Sequence, residues 1–191
     1  MYELPTSVTI EGQSFAIRNR GDFRMVLDCF EAFNDTELTE QERVIACLVI
    51  FFEDIESIND LSILPNLEEA FKEMTRFFNC GNDNPDGKQD YKLMDWQQDE
   101  MILMSALNNV AHTEIRLQEY VHWWTFMGYY MAIGDCLFAT VVGIRNKLAR
   151  GKNLEKHEKK FMQENPKYFR WDFRTVEQKA FDEELRRMWN G

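Results

Sequence analysis

A chain of 191 residues with 45% apolar and 14% aromatic side chains can bury a core and is too rich in aromatics for a disordered segment. Its net charge of −11 argues against broad affinity for DNA or anionic lipid, since both select basic surfaces. Cys29, Cys47, Cys80 and Cys136 include no C-x-x-C pair, which predicts buried free thiols in a reducing compartment rather than a disulfide framework or a zinc site.

Met1 to Ile10 shows no basic stretch followed by an apolar one, so no secretory signal is expected. Val8, Ile10, Phe15 and Ile17 alternate with polar residues across Glu11-Gly12-Gln13, which predicts a β-hairpin. From Asp22, a plausible N-cap, the period becomes helical: Phe23, Val26, Leu27, Phe30 and Phe33 recur on one face. Thr39 to Glu42 reads as a capping box for a second helix with Val44, Ile45, Leu48 and Phe52 inward. Pro65 suits the first turn of a third helix, whose apolar face is Leu67, Ala70, Phe71, Met74 and Phe78. Turn formers then crowd Cys80 to Lys92, predicting an exposed loop open to proteolysis.

Asp95-Trp96-Gln97-Gln98 reads as a second capping box opening a fourth helix. A fifth is expected from about Glu114 to Ile133, with Leu117, Tyr120, Val121, Trp124, Met127 and Met131 as its core stripe. Trp123, Phe126, Tyr129 and Tyr130 then fall elsewhere on that helix, and His122 reads as a satisfied core or interface histidine. The longest uncharged run, Tyr120 to Gly134, is too short to span a membrane. After a turn at Gly134-Asp135, Leu137, Val141, Ile144 and Leu148 give a sixth helix, and Val176 to Trp189 has the spacing of a last amphipathic one. The fold class is therefore mainly α, a single-domain helical bundle over 1–191 with a short N-terminal β-hairpin. Its parts are a hairpin at 4–18, helices over 22–79, an exposed loop at 80–93, helices over 94–150 and a helical extension over 151–191.

Chemistry is harder to find. There is no phosphate-binding glycine loop, nucleophile elbow or zinc spacing, so no catalytic, cofactor or metal residues are assigned. Asp99-Glu100 and Glu68-Glu69 are adjacent on helices and point about 100° apart, which reads as surface charge. Glu53-Asp54-Ile55-Glu56 lacks the ordered spacing of a calcium loop. Charge is uneven. Residues 1–110 hold 8 basic and 22 acidic side chains, a net of −14, whereas 111–191 hold 14 and 11, a net of +3. Solvation explains such a split, but so do complementary surfaces on partners or sister subunits. The basic, aromatic-interleaved stretch from Lys147 to Trp171 has the composition of a strand-binding groove, yet the acidic whole argues against nucleic acid. Trp123, Phe126 and Tyr130, with the basic edge Arg145, Lys147 and Arg150, are the candidates to contact another protein chain, the alternative being that the C-terminal helix covers this face through Phe181, Leu185 and Trp189.

Several motifs occur together: Leu4-Pro5-Thr6-Ser7-Val8, Asp22-Phe23-Arg24, Met94-Asp95-Trp96-Gln97-Gln98-Asp99, Tyr120-Val121-His122-Trp123-Trp124-Thr125-Phe126, then Gly134 and Ile144-Arg145. In this combination the chain resembles the bacteriophage gene-product-fifteen family of long-tailed phages and prophages of Gram-positive bacteria, over roughly Leu4 to Arg150. The resemblance implies a non-enzymatic tail assembly chaperone in the host bacterial cytoplasm, binding the tape-measure protein, tail-tube subunits or both, while the uneven charge also allows a homo-oligomer. A structural virion or tail-completion component, or a regulatory phage protein binding a host protein, is the alternative.

Overall fold

In a computed structural model the described residues are 3–82 and 91–170. They are mainly helical with one two-stranded antiparallel sheet. They form two compact units, one of 3–82 with 114–131, the other of 91–113 with 132–170. The expected helix over 176–189 and most of the expected loop at 80–93 lie outside the described residues.

In the first unit, β1 (Ser7–Ile10) pairs with β2 (Gln13–Ala16). Glu11 and Gly12 between them both have positive φ, 47° and 80°, the geometry of the tight hairpin turn that glycine favours. Val8, Ile10, Phe15 and Ile17 are buried, as the alternation requires. The hairpin tip is held to α3 (Leu67–Phe78): Glu11 N–H donates to Glu69 Oε1 at 3.2 Å, and Asn66 Nδ2 donates to Glu11 Oε1 at 3.2 Å.

Asp22 caps α1 (Phe23–Asn34) by accepting from Arg24 N–H, and Thr39 and Glu42 form the reciprocal box that starts α2 (Glu40–Phe51). The α2 C-terminus leaves carbonyls without helical donors. Arg18 supplies them, its guanidinium donating to the carbonyls of Val49, Ile50, Phe52 and Ile55 at 2.6–3.3 Å. Asn66 caps α3, so Pro65 stands before the helix and not in its first turn as the sequence suggested. The buried side of α1 is Phe23, Met25, Val26 and Cys29, rotated from the expected face, and Phe33 is exposed.

The second unit has α4 (Glu100–Ala111), α6 (Leu137–Ala149) and α7 (Lys156–Glu164). Asp95 does act as a cap, its Oδ1 accepting from the N–H groups of Gln97 and Gln98 at 3.0 Å each. A turn intervenes, however, and α4 begins only at Glu100.

The expected fifth helix is corrected most. A 3-10 turn at Ile115–Leu117 and extended chain through His122 replace its first half, and α5 occupies only Trp123–Met131, in the first unit. Starting the helix at residue 123 changes which residues face inward. Trp123 and Phe126 are buried, Trp124 is half-buried, and Leu117 and Met131 are exposed.

Candidate functional site

The motif residues form two polar networks, one in each unit. In the first, Asp22 pairs with His122 across an isolated antiparallel bridge. Phe23 N–H donates to Val121 O at 2.9 Å, and Val121 N–H donates to Asp22 Oδ2 at 2.9 Å. Arg24 extends over the same carboxylate at 3.0 Å and reaches the carbonyls of Arg116 and Gln118. His122 Nε2 lies 3.0 Å from Pro5 O, which can only accept, so this nitrogen carries the proton. Nδ1 then accepts from Trp124 N–H at 3.1 Å. Burial pushes the His122 pKa down, partly opposed by the Pro5 carbonyl and the Asp22 charge.

Both indoles terminate on α3: Trp123 Nε1 donates to Phe78 O and Trp124 Nε1 to Phe77 O, each at 2.9 Å. Gly21 has φ +78°, and a Cβ there would stand 2.7 Å from Phe77 Cζ and 3.1 Å from His122 Nε2. Only glycine fits this turn beneath the imidazole.

In the second unit Arg145 is 0% and Asp99 1% exposed. The guanidinium grips the carboxylate through Nη1–Oδ2 at 2.6 Å and Nη2–Oδ1 at 2.9 Å. It also donates to Leu93 O at 3.0 Å, and twice to Tyr168 O at 3.0 and 2.8 Å. No buried polar side-chain atom among the described residues lacks a partner. A buried charge pair survives desolvation when its geometry is this complete.

Above this pair a groove of about 890 Å³ follows the length of α4. Ile102 and Ala106 are among its apolar lining, facing Ile133 and Leu137. Lys167 and Tyr168 also line it. At its lips Met101 is 80% and Leu137 43% exposed. Among the described residues no three His, Cys, Asp or Glu side chains gather as metal ligands would.

Residues 1–170 match the family described as Bacteriophage Gp15 protein. The chain belongs to this Gp15 family. No curated protein and no solved structure matches it. Membership points to a phage structural or assembly protein. Among the described residues of this Gp15 protein no helix is long and apolar enough to cross a membrane.

The six residues expected at a partner surface are placed differently from one another. Trp123 is 1% exposed, and Phe126 is buried between the rings of Trp123 and Phe23, with centroids 5.5 and 4.6 Å away. Arg145, expected on a basic edge, is interior because Asp99 neutralises it. Asp99, expected as surface charge, is buried for the same reason. Tyr130 is half-buried, with its phenol pKa raised by burial. Lys147 binds Glu158 at 2.7 Å, and Arg150 is exposed with its Nε on Asn146 Oδ1. The first three of the six lie in the first unit and the last three in the second. The groove along α4 was missed at the sequence level. The sequence turns Met101 and Ser105 inward with Ile102, Met104 and Leu107, whereas both are exposed and line this groove.

Proposed function

We propose that this Gp15 protein is a non-enzymatic tail assembly chaperone of the host bacterial cytoplasm, and that the α4 groove holds a helical segment of the tape-measure protein. Tail-tube subunits are recruited at the same stage of assembly. The observation that carries this reading is the open groove along α4, where Ile102, Ala106 and Leu137 alternate with polar Gln98, Asn109 and Asp135 and Met101 stands exposed at the lip. Methionine is flexible and adapts to varied apolar partners. The 12 residues of α4 span about 18 Å, room for about three turns of an amphipathic helix laid alongside. Small side chains at Ser105 and Ala106 and the bare backbone of Gly134 let a second helix approach closely. Membership of a phage structural or assembly family supports the same role.

Co-expression with the tape-measure protein of the same phage tests it. The wild-type chain should keep the tape measure soluble and co-purify with it. Met101→Glu with Leu137→Glu changes exposed lips only, so the melt should be unchanged while recovery of tape measure falls at least about tenfold. Undiminished recovery with this variant contradicts the groove. Stoichiometric presence in purified particles would favour a virion component instead.

A further inference from the structure

Charge is segregated between the two units. The described residues of the first hold 18 acidic and 7 basic side chains, a net of −11, and those of the second hold 7 and 10, a net of +3. Two exposed helix faces concentrate the contrast. On α1, Asp28, Glu31 and the C-cap residue Asp35 follow at i, i+3 and i+7, hence on one face, and all are exposed. No basic residue occupies the last turn of α1. Negative charge there adds to the negative end of the helix dipole, where a cation would be favoured. The crowding is felt locally: partial burial and the Glu31 charge together raise the Asp28 pKa.

The counterpart is α7, none of whose residues is buried. Glu158 is already committed to Lys147 and to the cap at Glu155, and Lys160 to Glu164 at 3.8 Å. Lys156 and Lys159, three residues apart, and Lys152 just before the helix are exposed. Neither Lys156 nor Lys159 lines the crevice toward α6 that His157, Lys160 and Phe161 line. Like charges three apart on each helix are mildly unfavourable alone, and each face neutralises the other when they meet.

We propose that the Lys156 and Lys159 face of α7, with Lys152 in the segment that precedes the helix, docks on the Asp28, Glu31 and Asp35 face of α1 in a second copy of this chain. Donor and acceptor faces differ, so the contact is heterologous, and each copy keeps one face free for the next. Association then extends beyond a pair, into a closed ring or an open chain. This inference does not depend on the tape-measure reading.

Sedimentation velocity of the full chain tests it. At ionic strength of about 0.05 M the wild type should form species larger than a dimer, and raising salt to about 0.5 M should weaken association at least tenfold. Lys152→Glu, Lys156→Glu and Lys159→Glu combined should give a monomer. So should Asp28→Lys, Glu31→Lys and Asp35→Lys combined. Both sets are exposed, and unchanged melting confirms folding. An equimolar mixture of the two variants restores both contacts and should reassemble. A wild type monomeric at low salt, salt-insensitive association, variants that still assemble, or a mixture that stays monomeric overturns the proposal.

Discussion

The two units solve the same problem, a polar group inside a core, by different means. The first spreads its polar atoms over several partners, most of them neutral. Asp22 takes backbone N–H groups and a half-exposed Arg24, while His122 and both indoles end on carbonyls. The second commits two full charges to one fully enclosed pair, Arg145 with Asp99. Neutral partners can be lost one at a time at modest cost, whereas a buried charge stripped of its partner keeps its whole desolvation penalty. Damage should therefore be graded in the first unit and abrupt in the second.

The abrupt case is the largest expected effect. Arg145→Met leaves the Asp99 carboxylate buried and unpaired and should cost about 3–5 kcal/mol in chemical denaturation. Adding Asp99→Leu should restore much of that loss, since an apolar pair of similar volume is often neutral. A single variant as stable as wild type would show that water reaches the pair.

Next come the neighbouring tryptophans, whose indole bonds to α3 are alike. Trp123→Ala empties an enclosed site and should cost about 3–5 kcal/mol, and half-buried Trp124→Ala about half as much. Equal losses would mean that the hydrogen bonds, not the burial, dominate. Gly21→Ala combines a strained φ with a contact on Phe77 and should cost about 1–3 kcal/mol, read as a lowered Tm.

The smallest effect separates the units by pH. Folding lowers the His122 pKa from its ordinary 6.5 because burial disfavours the imidazolium. The unfolded chain therefore takes up a proton that the folded one resists. The stability this group contributes is complete above about pH 6.5 and declines as pH falls below it. Asp95 behaves otherwise. Burial would raise its pKa, but the Gln98 and Gln97 N–H groups and the Lys92 ammonium outweigh that and lower it from 3.8. Its contribution is lost only as pH falls below about 4. Amide exchange across the acid range should show protection falling first around residues 121–124 and later around 95–99. The reverse order would contradict the assignment of the imidazole.

How far the sequence could be read follows the range of the forces involved. The Glu11-Gly12 turn, the Asp22 cap and the Thr39–Glu42 box are local devices, and each lies where spacing places it. The helix expected from Glu114 did not form over its first half because Asp22, about 100 residues away in the chain, holds Val121 and His122 extended. Tertiary bonding overrides a helical apolar pattern there. Arg145 resembled its exposed basic neighbours because Asp99 lies 46 residues earlier, out of reach of any periodicity. The groove has the same difficulty, its walls coming from α4, residues 133–137 and residues 167–168. Asp22, His122, Trp123, Asp99 and Arg145, all legible as parts of a family signature, are thus the buried ties of the two units, whereas Leu4, Gln97, Gln98, Tyr120 and Gly134 of the same motifs are exposed.

A photo-crosslinking residue placed at Ser105, exposed on the groove wall, reads out whether the tape measure lies in the groove. In cells also expressing the tape-measure protein, irradiation should join this chain to one or a few helical tape-measure peptides, identified by mass spectrometry. The same residue placed at Glu68, exposed on α3 in the other unit, should give no such product. Tape-measure crosslinks from Glu68 and none from Ser105 would contradict the account.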